Sequence, residues 1–219
     1  MHIVTYSYLL LPLSLLISKN KKKDIIPLTL AIYGILIFSL LLSYDYLPRA
    51  VQSNYKSFFT FFEYAFFAFL FWKNIKKRKI KIFIILASVS FFVFQIIYAL
   101  TTKITHLDTI PIGIETILIF IYIFFFFHEF ARNTYNSYIY NNYFFWIAVG
   151  ILIYLGGSFF FFILIEHLSD DQLTTFGSFT YVAEIIKNIL FALALFIYAR
   201  HPYEKSEKNS NSVPFLDLI

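Results

Sequence analysis

Glu63, Glu115 and Glu184 each stand inside a long apolar stretch of this chain, about five residues, or ~8 Å at helical rise, from the same end of the stretch when successive stretches are taken to alternate in direction. An ionisable side chain at such a place costs roughly 2.5 kcal/mol or more near a bilayer centre, so each asks for a reason. Residues three, four and seven apart share a helix face, which adds Lys187 and Asn188 to Glu184, and sets Tyr154 and Ser158 on one stripe with Gly150 and Gly157. Tyr181 falls on the Glu184 stripe. Gln95 lies at a similar depth on a stripe with Ser88, Tyr98 and Thr102, and Glu115 shares its face with Tyr122 and Glu129. Three carboxylates at one level cannot all stay ionised at neutral pH unless Lys187 or a bound cation compensates them, which is the chemistry of proton sensing, proton coupling or cation binding. The expectation is a ligand-binding polar pocket in the outer half of a bundle, open to the extracytoplasmic side and built on Glu63, Gln95, Glu115, Glu184, Lys187, Asn188, Tyr154 and Ser158. The plainer alternative makes Glu184 and Lys187 an intrahelical pair and the other carboxyls protonated packing glue.

Other groups carry less. His2, His106 and His167, with Asp108, Glu166, Asp170 and Asp171, are the right residue types for a divalent metal, but their spacing matches no metal motif and they read as solvated loop residues. His128, Glu129 and Arg132 read as a local salt-bridge cluster that anchors one helix end at the interface. The chain has no cysteine, which removes thiolate nucleophiles, thiolate metal sites and disulfides. No nucleophile elbow, HExxH, P-loop or GxGxxG occurs, so an enzyme is the less favoured class and no cofactor or metal is expected. The third stretch has no Arg with an aspartate-rich motif, so Lys187 is not read as a retinal-type lysine.

The elements that hold these side chains follow from hydropathy. The chain is 59% hydrophobic and 14% charged with mean hydropathy +0.71, against roughly 25% charged in an ordinary soluble domain. Lipid is the solvent that suits such a chain. Seven apolar stretches run from Ile3 to Ile17, Ile25 to Leu42, Phe58 to Trp72, Ile80 to Leu100, Ile110 to Phe130, Phe144 to Ile165 and Phe179 to Ala199, most of them near the ~20 residues a helix needs to cross a ~30 Å core. Each is continuously apolar, whereas a barrel strand would alternate, so helices are expected. The first and third are short, and Pro12 should kink the first. Turn formers lie at Ser43 to Pro48, Asn133 to Asn142 and Ser169 to Gly177. The expected fold is all-α: a polytopic transmembrane helical bundle of seven spans over residues 1–201, with a short cytoplasmic tail over 202–219.

Lys and Arg orient the bundle, because in short loops they stay on the cytoplasmic side. Lys19, Lys21, Lys22 and Lys23 follow the first stretch, Lys73, Lys76, Lys77, Arg78, Lys79 and Lys81 the third, Arg132 the fifth, and Arg200, Lys205 and Lys208 the last; the opposite loops hold Arg49, Lys56 and Lys103. The N-terminus is therefore expected outside and the C-terminus inside. The first stretch has no basic leader, so it reads as a retained anchor and not a cleaved signal. The formal charge of +5 reports this orientation and not a nucleic-acid surface. The tail is polar in composition and reads as disordered, ending in the apolar run Val213 to Ile219, which is the expected contact for a cytoplasmic partner.

The segments Phe145 to Tyr154 and Glu184 to Leu190 resemble those of an uncharacterised family of small multipass inner-membrane proteins of Bacteroidota-type bacteria, of about seven spans, often regarded as companions of sensor kinases. The resemblance implies a multipass protein of a bacterial inner (cytoplasmic) membrane, of sensory type. The resulting expectation is a membrane sensor or signalling accessory protein that passes its signal to a separate cytoplasmic partner. A small secondary transporter coupled to protons or cations is the alternative, followed by an accessory subunit of a membrane complex. The lipid bilayer is the one certain neighbour of such a chain.

Overall fold

The computed structural model describes residues 2–17, 25–44, 46–101, 109–133, 139–164 and 168–200. Among them the chain is all-α: α1 (His2–Ser7), α2 (Leu10–Ile17), α3 (Ile25–Tyr44), α4 (Arg49–Asn74), α5 (Arg78–Thr101), α6 (Thr109–Asn133), α7 (Tyr143–Leu164) and α8 (Asp170–Arg200), with a 3-10 turn at Ile139–Asn141. Four helices are long and apolar enough to cross a membrane: Ile25–Tyr44, Arg78–Thr101, Ile110–Arg132 and Asp171–Arg200. Ile3–Ile17 and Tyr143–Phe159 are shorter apolar helices. Many large apolar side chains, among them Ile85, Leu86, Ile97, Ile117 and Phe124, point outward, as the faces of a multipass membrane protein do when lipid is their solvent. The tail over 202–219 lies outside the described residues.

Pro12 acts as expected, one turn earlier in the chain. Having no N–H, it cannot bond the Tyr8 carbonyl, and the helix breaks at Tyr8 and Leu9 between α1 and α2. Leu11 N–H donates to that carbonyl at 3.3 Å in a tighter turn. Gly34 of α3 lies against the break, for a Cβ placed on it would sit 2.7 Å from the Tyr8 carbonyl oxygen and 3.0 Å from Leu11 Cβ. The break and the glycine together let α3 come close and leave the Tyr8 side chain buried in the bundle.

The stretch Ser169 to Gly177, expected as a turn, is instead the beginning of α8. Its first residues explain why: the Ser169 backbone N–H donates to Gln172 Oε1 at 3.0 Å, half of a Ser-x-x-Gln capping box that starts a helix. Asn142 caps α7 with its own side chain, Oδ1 accepting the Phe144 N–H at 2.9 Å. The small residues of α7 let it pack closely on α8, a Cβ on Gly157 falling 3.0 Å from Ala183 Cβ and one on Gly150 falling 3.3 Å from Leu190 Cβ. Towards the other end, Phe144 packs edge-on to Phe71 and Phe126 at centroid distances of 5.4 and 4.8 Å, joining α4, α6 and α7.

Candidate functional site

Lys187 of α8 is fully buried, and its ammonium is the centre of a network that draws on five helical segments. Nζ donates to the Tyr8 hydroxyl at 3.2 Å and the Tyr33 hydroxyl at 3.2 Å, and pairs with Glu63 Oε1 at 3.4 Å. It also sits over the Tyr154 ring, 3.9 Å from the centroid. Glu63, 4% exposed, has both oxygens engaged: Oε1 accepts from Tyr33 at 2.9 Å and Oε2 from Tyr154 at 2.9 Å. The Tyr8 hydroxyl donates in turn to Glu184 Oε1. Asn188, one residue beyond Lys187, donates through Nδ2 to Ser7 Oγ at 2.7 Å.

A lone ammonium or carboxylate could not stand in such surroundings. Removing both from water is expensive, and their attraction offsets that only where the remaining lone pairs and protons are hydrogen-bonded. Here three tyrosine hydroxyls do this. The intrahelical Glu184–Lys187 pair of the plainer alternative is replaced by a relay through Tyr8, and the direct partner of Lys187 is Glu63 of α4. The ring faces of Tyr8, Tyr33 and Phe67 also lie within 6 Å of Nζ, which adds cation–π attraction to a fully buried ammonium.

Of the eight residues expected at the site, Glu63, Tyr154, Glu184 and Lys187 meet in this network and Asn188 stands next to it. Glu115, 3% exposed on α6, lies close enough to Glu63 and Lys187 for their charges to act on it, yet its Oε1 has no hydrogen-bond partner. Ser158 is buried but turns back to its own helix, donating to the Tyr154 carbonyl at 2.8 Å. Gln95 is elsewhere: it lines an apolar crevice between α4, α5 and the start of α6, with its Nε2 buried and unpaired. Tyr181, on the expected α8 stripe, is 43% exposed and so does not face the network.

Tyr8, Tyr33 and Ser7 were not expected. Tyr33 adjoins Gly34, and Tyr8 is the fourth residue before Pro12; a tyrosine beside a helix-breaking or close-packing residue in an apolar span was the signal available.

A second polar cluster lies beside the first. Tyr64, next to Glu63 and so about 100° around α4, shares hydrogen bonds with Ser88 of α5 at 3.0 Å and Tyr122 of α6 at 2.9 Å. Neighbouring residues of α4 thus face two groups of helices: Glu63 joins α3, α7 and α8, and Tyr64 joins α5 and α6.

At the other end of α6, Glu129 does not form the expected cluster with His128 and Arg132. Its carboxylate accepts the backbone N–H groups of Lys76 at 2.8 Å and Lys77 at 3.3 Å, holding the turn that precedes α5, while His128 stacks on Phe124. Donors left free at the start of a helix are what draws a carboxylate there. Among the described residues no group of histidine, aspartate and glutamate could hold a metal ion; His106, Asp108, Glu166 and His167 lie outside them.

Comparison of the chain with protein-family models, with curated proteins and with solved structures finds no match. The roles of Lys187, Glu63 and Glu184 therefore follow from their geometry alone.

Proposed function

We propose that the chain is an integral membrane sensor or signalling accessory protein. In this reading it is a seven-span bundle of a bacterial inner membrane, N-terminus outside, that passes its signal through residues 202–219 to a separate cytoplasmic partner. What supports the reading is the convergence of five helical segments on one buried ammonium. A proton or ligand that changes Glu63 or Glu184 alters bonds on several helices at once, and a packed bundle responds to such a change by exchanging one arrangement for another. The stimulus that fits the network is acidification or a cation at its carboxylates.

Spin labels on cysteines introduced into α2 and α8 of the otherwise cysteine-free chain test this in nanodiscs. Two distance populations should exchange as the pH falls, and Glu63→Gln or Glu184→Gln should hold one of them at all pH values. Deleting the chain after Pro202 should remove signalling to the partner while leaving both populations in place. A single population, unchanged by pH and by either substitution, would overturn the reading.

Glu115 favours a second reading, a small secondary transporter coupled to protons or cations. A buried carboxyl with an unpaired oxygen beside an ion pair is a group that can take up and release a proton or cation. Proteoliposomes separate the two: uptake driven by a proton gradient and abolished by Glu115→Gln supports transport, and its absence in wild-type vesicles rules transport out.

A further inference from the structure

Around the turn that joins Asn74 of α4 to Arg78 of α5, Lys73, Lys76, Lys77, Arg78, Lys79 and Lys81 place six cations within nine positions. The turn is fixed from inside. Ile75 is buried and its N–H donates to the Phe71 carbonyl at 2.9 Å, while the buried Glu129 carboxylate takes the Lys76 and Lys77 backbone N–H groups. Glu129 thus satisfies backbone donors and leaves the side chains outside: Lys73, Lys76, Lys77, Arg78 and Lys79 are exposed, and among the described residues none of the six cations pairs with a carboxylate. Neither α4 nor α5 holds an acidic residue besides Glu63.

Apolar surface begins where this charge ends. Arg78, Ile82, Ile85 and Val89 share one face of α5 by their spacing. The three apolar residues are exposed, and α5 is the candidate span least covered by protein, with 11% of its apolar window buried. Lys81 Nζ lies 5.2 Å from the centroid of the Trp72 ring, an aromatic ring and a basic side chain paired as they are where hydrocarbon gives way to water. A cationic rim continuous with an uncovered apolar face fits a molecule that is anionic at one end and apolar along the rest. An acidic protein segment would meet the rim alone; a phospholipid meets both. Its phosphate oxygens suit the fork of an Arg and the point charges of Lys. We propose that the α4–α5 turn is a binding site for an anionic phospholipid, with Lys76, Lys77, Arg78 and Lys79 holding the head group and an acyl chain lying along Ile82, Ile85 and Val89. The proposal rests on α5 crossing the bilayer and not on the sensor reading.

The chain has two tryptophans, so Trp146→Phe leaves Trp72 as a reporter beside the turn. Nanodiscs of phosphatidylcholine carrying a small fraction of brominated phosphatidylglycerol, or the same fraction of brominated phosphatidylcholine, show by quenching which lipid lies against Trp72. Phosphatidylglycerol should be preferred by roughly 3- to 10-fold, the effect of one to two effective cations at a hydrated surface. Replacing Lys76, Lys77, Arg78 and Lys79 together by Gln should remove the preference. These changes touch exposed side chains and spare the backbone bonds to Glu129, and the unfolding midpoint shows whether the variant is folded; should it not fold, Arg78→Gln with Lys79→Gln should still lower the preference by about 2-fold or more. Trp72→Phe, which reads Trp146 instead, should show a weaker preference. Equal quenching by the two brominated lipids, a preference kept in the Gln variants, one equally strong at Trp146, or one abolished by soluble poly-glutamate, which would mark a site for acidic protein, would each overturn the proposal. The spin-label distances that test the sensor reading do not enter this measurement, so either can fail without the other.

Discussion

Lys187 and Glu63 are held in place by each other and by the tyrosines around them, and this makes their substitutions strongly unequal. Lys187→Met removes the cation and leaves a carboxylate buried with only neutral partners, which is expected to destabilise the bundle by about 3–5 kcal/mol. Glu63→Gln with Lys187→Met removes both charges and keeps an amide that can still accept from Tyr33 or Tyr154. The double variant should therefore recover most of the stability lost in Lys187→Met. Detergent-titration unfolding in mixed micelles, run as a double-mutant cycle, gives the coupling directly. Strict additivity of the two changes would show that the charges do not interact as the geometry has it.

Close approach of backbones governs the level of elements. Gly34→Ala places a methyl 2.7 Å from the Tyr8 carbonyl oxygen, so α3 must move away from the α1–α2 break. A loss of about 1–3 kcal/mol is expected from such overpacking. Gly113 is the internal control: nothing lies within 4 Å of a Cβ there, and Gly113→Ala in α6 should be neutral or stabilising by up to ~1 kcal/mol. Both are read from unfolding midpoints in micelles. Pro12→Ala acts on shape: by restoring an N–H that can reach the Tyr8 carbonyl it should straighten α1 into α2 and withdraw the Tyr8 hydroxyl from Glu184 and Lys187. Tyr8→Phe should then add little to Pro12→Ala, although each alone lowers stability. Full additivity would mean that the break does not position the tyrosine.

Spans and direction are properties of the whole molecule. Because the native chain has no cysteine, single cysteines at loop positions report their side of the membrane without background. Under the seven-span arrangement a cysteine at Lys79 or Asn209 should react only after the inner face is opened, and one at Tyr46 or Asp171 should react from outside with a membrane-impermeant maleimide. Labelling of Asn209→Cys in intact cells would reverse the proposed direction. The division of the bundle at α4 is expected to appear at the same scale. Hydrogen exchange should be slowest around Glu63 and Tyr64, where both polar clusters meet, and Tyr64→Phe should speed exchange in α5 and α6 more than in α3 and α8.

Sequence alone determined that the chain is helical and apolar enough for lipid, because a run such as Ile80 to Leu100 leaves no other solvent and no alternation for a strand. It also marked Glu63, Glu115, Glu184 and Lys187, since a charge inside such a run is conspicuous whatever the fold. Which of these side chains meet was decided by tertiary structure. Depth along a span follows from counting residues, but rotation about the helix axis and the order of neighbours do not, and these turn Gln95 into a separate crevice and Tyr181 outward. The same reason hid Tyr8 and Tyr33: a tyrosine is unremarkable in a chain so rich in aromatics, and only the helix break before Pro12 and the approach of α3 at Gly34 bring the two hydroxyls to one ammonium.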